Sequence, residues 1–185
     1  KAHYPVEYMA ALLACYADKP DKMTVALAEC KRMGITVLAP DVTASTCAFA
    51  PEGGAIRYGL ADIKNVGRSV AEAIIAEREA HGPYTSLCDL CGRLSAQTGM
   101  TRAAVETLIR CGALDSIHPN RKALMEIAPE AMAHATAIRK TTSAGFVGLF
   151  DADDVSEMAS VSPRDIPDYS LEDRLRYEKE LLGVF

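Results

Sequence analysis

The residues with the clearest chemical potential lie together in Ile63-Lys64-Asn65-Val66-Gly67-Arg68-Ser69-Val70-Ala71-Glu72-Ala73-Ile74-Ile75. Gly67 has no Cβ, so the backbone there can take turn geometry and lie close against a ligand. A helix that starts at this glycine leaves the N–H groups of about Gly67 to Val70 without intrahelical acceptors. Those donors, with the positive end of the helix dipole, make a site for an anion. Lys64 and Arg68 add mobile positive charge beside it. The ligand that suits this set is a phosphate of a nucleic-acid backbone, bound without reading base sequence. The candidate DNA-contacting residues are therefore Lys64, Asn65, Val66, Gly67, Arg68 and Ser69.

Positioning these groups takes a helix end, a tight turn and a new helix. The apolar Ile63 ahead of the turn, the small Ala71 four residues after Gly67 and Ile74 seven after it give the pattern of a helix-hairpin-helix. An ordinary αα-hairpin whose glycine only makes the turn fits the same residues. A second stretch, Leu108-Ile109-Arg110-Cys111-Gly112-Ala113-Leu114, again places an apolar residue, three intervening positions and a glycine in a row. It lacks the Val-Gly-basic sequence, so a second hairpin here is expected to be structural.

The flanking periodicities are mostly helical. Val6, Met9, Ala10, Leu13 and Ala14 define an amphipathic helix over residues 4–17, ended by Asp18-Lys19-Pro20. Asp21 is the expected N-cap of a second helix carrying Met23, Ala26, Leu27 and Cys30, with Gly34 just beyond its end. Short strands are expected at Ile35 to Leu38, Cys47 to Phe49 and Ile56 to Leu60. The helix after Gly67 runs to about Ala80. Thr85 is the expected cap of a helix over Ser86 to Leu94, and Thr101 of one over Arg102 to Cys111. Residues 119–140 carry a helix expected to break near Pro129, and Leu171 to Leu182 a last one. The fold class is mainly α with a few short strands, containing a helix-hairpin-helix domain, either single or tandem.

Composition narrows the function classes. A hydrophobic fraction of 49% over 185 residues suffices for a packed core, and no apolar run reaches a membrane-spanning length. A formal net charge of −5 opposes general attraction to DNA, so any nucleic-acid contact must be local. The N-terminus, Lys1-Ala2-His3-Tyr4-Pro5, has neither the pattern of a secretory signal nor a starting Met, which reads as a piece of something longer. Six cysteines in mostly helical, apolar settings suit reduced thiols in the cytoplasm. Cys88 and Cys91 form a Cys-x-x-Cys, but only Cys111 and His118 follow as further ligands, at no standard zinc spacing, and no metal site is expected. No G-x-S-x-G or phosphate-binding P-loop is present. After a polar stretch, Phe146-Val147-Gly148-Leu149-Phe150 stands as an isolated apolar cluster ahead of Asp151, Asp153 and Asp154, in the manner of a tethered binding peptide.

Several long stretches, in order, resemble the alpha subunits of bacterial replicative DNA polymerase III, of the C family of polymerases. They are His3 to Leu13, Ala28 to Ile35, Arg57-Tyr58-Gly59-Leu60 with Ile63 to Gly67, Leu108 to Ser116, and Glu178 to Gly183. The resemblance implies the end of the fingers (1–50), a duplex-binding helix-hairpin-helix domain (51–140), a clamp-binding peptide and linker (141–169), and a helix leading to an OB domain (170–185). It also implies a DNA-directed DNA polymerase as the parent, with its catalytic aspartates and magnesium in a palm upstream, so no residue here is assigned to phosphoryl transfer and no cofactor is expected. The implied partners are double-stranded DNA, a sliding clamp and the rest of the polymerase holoenzyme. In this family the clamp peptide takes the form Gln-x-x-Leu-Phe. Leu149 and Phe150 keep that form, and Phe146 stands where Gln is expected, losing an amide hydrogen bond worth about 0.5–1.5 kcal/mol. A DNA-repair helix-hairpin-helix module, a purely structural helical domain and the error-prone relative of the same polymerase remain as alternatives.

Overall fold

The computed structural model describes residues 3–95, 100–143 and 162–183. In chain order these form α1 (Pro5–Tyr16), α2 (Pro20–Arg32), β1 (Val37–Leu38), β2 (Ala50–Glu52), β3 (Ala55–Arg57), a 3-10 turn (Leu60–Asp62), α3 (Arg68–His81), α4 (Leu87–Ser95), α5 (Arg102–Arg110), α6 (Arg121–Ser143) and α7 (Leu171–Leu182). The chain is mainly α with a few short strands. The peptide from Phe146 to Phe150 lies outside the described residues.

Helices α1 and α2 pack together, burying Met9 and Leu13 of one and Met23 and Ala26 of the other. Pro20 occupies the first turn of α2, where its missing N–H is no loss, and no side chain caps the helix. Asp21 therefore lies inside the first turn, where its charge meets the helix dipole, and is not the cap. In the small sheet β3 is central, parallel to β1 and antiparallel to β2. Strand β2 lies beyond the expected Cys47 to Phe49 because the Gly53-Gly54 turn sets the hairpin register, pairing Glu52 with Ala55. Strand β3 ends at Arg57, earlier than expected, as the chain turns into the 3-10 segment. Phe49 packs against Tyr58 with ring centroids 4.3 Å apart, joining the sheet to the core.

The capping of α4 falls one residue later than expected. The Ser86 hydroxyl caps the helix by accepting the Asp89 N–H at 3.0 Å, while the Asp89 carboxylate reaches back past the cap to accept the Thr85 N–H at 3.0 Å. Thr101 caps α5 as expected, accepting the Ala104 N–H at 3.2 Å. Helix α6 does not break at Pro129. The proline sits on the exposed face, and the buried stripe of Leu124, Ile127, Ala128, Ala131 and Ala135 runs past it on both sides. That stripe packs α6 against α4 and α5, which holds the axis through the missing hydrogen bond.

Helix α7, capped by Ser170, joins the two halves of the domain. Its side chains reach the buried Arg121 at the start of α6, which pairs with Asp115 at 2.7 Å and with Glu178 of α7 at 2.8 Å. Burial opposes the Arg121 charge, yet these two carboxylates carry its pKa above the ordinary value.

Candidate nucleic-acid interface

The site is built where the sheet hands the chain to α3. The helix before the expected hairpin is a single 3-10 turn, Leu60–Asp62. Buried Ile63 and Val66 pin the two ends of the turn, and the Val66 N–H closes it on the Ile63 carbonyl at 3.1 Å. Left-handed geometry falls on Asn65, with φ 62°, and not on Gly67, whose φ of −69° and ψ of 154° are extended. Asparagine tolerates that conformation better than most residues. Gly67 instead serves as the N-cap of α3, its carbonyl accepting the N–H groups of Val70 at 3.0 Å and Ala71 at 3.1 Å.

Among the described residues no acceptor takes the N–H of Gly67, Arg68 or Ser69. All three residues are exposed, and a Cβ added to Gly67 would meet nothing nearer than the Ser69 hydroxyl, at 3.9 Å. The backbone here is open to a ligand at close range. The Arg68 side chain is 71% exposed, 3.9 Å from Glu72 and 3.5 Å from the Cys47 sulfur, contacts too weak to hold it. Asp62 lies just upstream. Burial pushes its carboxyl up to about 6, opposed by the hydrogen bond it accepts from the Phe49 N–H at 3.0 Å and by the Arg68 charge.

The six sequence candidates therefore divide. Gly67, Arg68 and Ser69 present open donors. Val66 is buried with its N–H already bonded, and Asn65 shapes the turn. The Lys64 ammonium donates to the Glu180 carbonyl of α7 at 2.7 Å, and its backbone N–H donates to the Leu181 carbonyl at 3.3 Å. That engagement with α7 has no local sequence signal, since the partners lie 116 positions apart.

The second hairpin, α5 to α6, has the same outline and a closed end. Gly112 takes φ 82°, and a Cβ there would press on the Arg121 guanidinium carbon at 2.7 Å. The first N–H groups of α6 are already used: Lys122 donates to the Asp168 carboxylate at 3.0 Å and Ala123 to the Asn120 side chain at 2.9 Å. An acidic group fills the place where an anion would sit.

The Cys-x-x-Cys shows no metal geometry. Among the described residues no group of His, Cys, Asp and Glu could hold a metal ion. Cys91 is buried, and desolvation pushes its thiol up to about 12. All six cysteines are unbridged thiols.

Residues 34–124 match the family model described as the helix-hairpin-helix motif. The whole chain aligns with DNA polymerase III subunit alpha of Thermus aquaticus at 39% identity over 185 residues and of Saccharopolyspora erythraea at 38% over 191. The same subunit of Mycobacterium tuberculosis is 36% identical over 189 residues. The chain belongs to the DNA polymerase III alpha family. It spans 15–16% of the length of these relatives. Within the family match, 34–124, lie the turns of both hairpins, the open end at Gly67 to Ser69 and the closed one at Asn120. Among the described residues no helix is long and apolar enough to cross a membrane.

Proposed function

We propose that this chain is the part of a cytoplasmic replicative DNA polymerase that grips duplex DNA through its phosphate backbone. The duplex is held for a catalytic centre elsewhere in the parent nucleotidyltransferase. The supporting observation is the trio of unengaged N–H groups at Gly67, Arg68 and Ser69 at the start of α3, with open space above Gly67. Such donors match phosphate oxygens and carry no base readout. Arg68 supplies the mobile charge. The local character of the grip reconciles it with a net charge of −5. The second hairpin, with its helix end filled by Asn120 and Asp168, supports the first and does not touch phosphate.

The test is duplex binding by fluorescence anisotropy across a salt series. Replacing Arg68 with Ala should flatten the slope of log K against log salt by about 0.9, the value for one phosphate contact. An unchanged slope would remove Arg68 from the interface. Within the same reading, residues 51–140 form the duplex-binding unit behind the end of the fingers. Leu149 and Phe150 are the clamp-contacting pair, supported by their match to the Leu-Phe end of the family peptide. A calorimetric titration with the sliding clamp, comparing the chain with a Leu149→Ala, Phe150→Ala double variant, decides that contact, and equal affinities would place it elsewhere.

A further inference from the structure

We infer that Lys64 is a positioning residue of the duplex grip, acting through the end of α7 and not on phosphate. The inference rests on the hairpin reading above. Three successive carbonyls in the last turn of α7 are taken up by the segment that leads into the hairpin. Glu180 accepts the Lys64 ammonium at 2.7 Å, Leu181 the Lys64 backbone N–H at 3.3 Å, and Leu182 the Tyr58 hydroxyl at 3.0 Å. Last-turn carbonyls have no intrahelical donors and carry the negative end of the helix dipole, so a cation is the partner they favour. Buried Ile63 lies between these two anchors, and Asn65, with φ 62°, follows immediately. A left-handed non-glycine residue persists only where its surroundings hold it.

Helix α7 is in turn fastened to the second hairpin, through Glu178 on Arg121 at 2.8 Å and Arg174 near Asp115 at 3.6 Å. The Lys64 bond thus sets the open N–H trio of α3 relative to the rest of the domain. Releasing it frees the turn without removing a phosphate contact. Binding should weaken, and the salt dependence should stay.

The experiment uses the whole chain with Lys64→Met, Lys64→Arg and Tyr58→Phe. Lys64→Met is expected to weaken duplex binding roughly three- to tenfold, the range for one lost hydrogen bond, with an unchanged slope of log K against log salt. The Gly183 amide, which donates to the Lys179 carbonyl at 3.0 Å, should exchange with deuterium faster in both Lys64→Met and Tyr58→Phe. Lys64→Arg should restore affinity and protection. A slope that falls by about 0.9 in Lys64→Met would make Lys64 a phosphate ligand and overturn the inference. Unchanged Gly183 exchange or unchanged affinity would overturn it as well. If the unsubstituted chain binds no duplex, the hairpin reading itself fails and the positioning role goes with it.

Discussion

Substituting Gly67 with Ala separates the fold from its ligand. Gly67 has φ −69° and ψ 154°, a conformation alanine adopts freely, and the added methyl meets only the Ser69 hydroxyl, at 3.9 Å. At an N-cap, alanine is worse than glycine by something under about 1 kcal/mol. Against that, the unfolded chain loses freedom, which stabilises by about 0.4–1 kcal/mol. The two nearly cancel, so urea unfolding should give a stability within about 0.5 kcal/mol of the parent. The ligand side is not neutral. A phosphate close to the Gly67 backbone must give way to the methyl, and losing one charge-assisted N–H bond of about 1.5–3 kcal/mol weakens binding roughly tenfold or more. Gly112→Ala is the control of opposite sign: at φ 82° the methyl meets the Arg121 guanidinium, and the variant should lose about 2–4 kcal/mol of stability. Anisotropy on a short duplex, run beside urea titrations of both variants, reads the outcome. A Gly67→Ala variant with normal stability and undiminished duplex affinity would refute the close approach of phosphate at this position.

Two further outcomes follow from the packing. Asp62, its carboxyl pushed up to about 6, favours protonation in the folded state, so its contribution to stability is fully present below the unfolded carboxylate pKa of about 4 and is lost as pH rises through 6. Asp62→Asn should therefore flatten that part of the stability profile between about pH 4 and 6 and raise stability at pH 7, measured by thermal unfolding across pH; a profile identical to the parent would place the titration elsewhere. Pro129→Ala restores the hydrogen bond to the Met125 carbonyl on the exposed face of a helix that is already continuous, and should stabilise the chain by about 1–2 kcal/mol, after allowing for the freedom alanine adds to the unfolded chain. A loss of stability in the urea titration would mean that the helix has adapted to the proline.

Much of the fold was written in local patterns. The cap at Thr101, the buried stripes of α1 and α5, the span of α7 and the start of α3 at Arg68 follow from spacing and from residue types that act over one helical turn. Pro129 misled for the same reason, because its local preference is outweighed by packing on both sides of it. The place of the candidate site was likewise legible, since Gly67 and the apolar spacing of Val70, Ala71 and Ile74 after it mark the start of α3. Its internal division of labour was not. That Lys64 spends its charge on α7, that Asn65 and not Gly67 bears the left-handed turn, and that the second hairpin is closed by Asp168 all depend on chain segments far apart in sequence. By itself the sequence determined which helices form and where α3 begins with open N–H groups to offer, because those properties need only neighbouring residues. Tertiary structure decided which donors remain open, because a donor is available only if no distant acceptor has been packed against it.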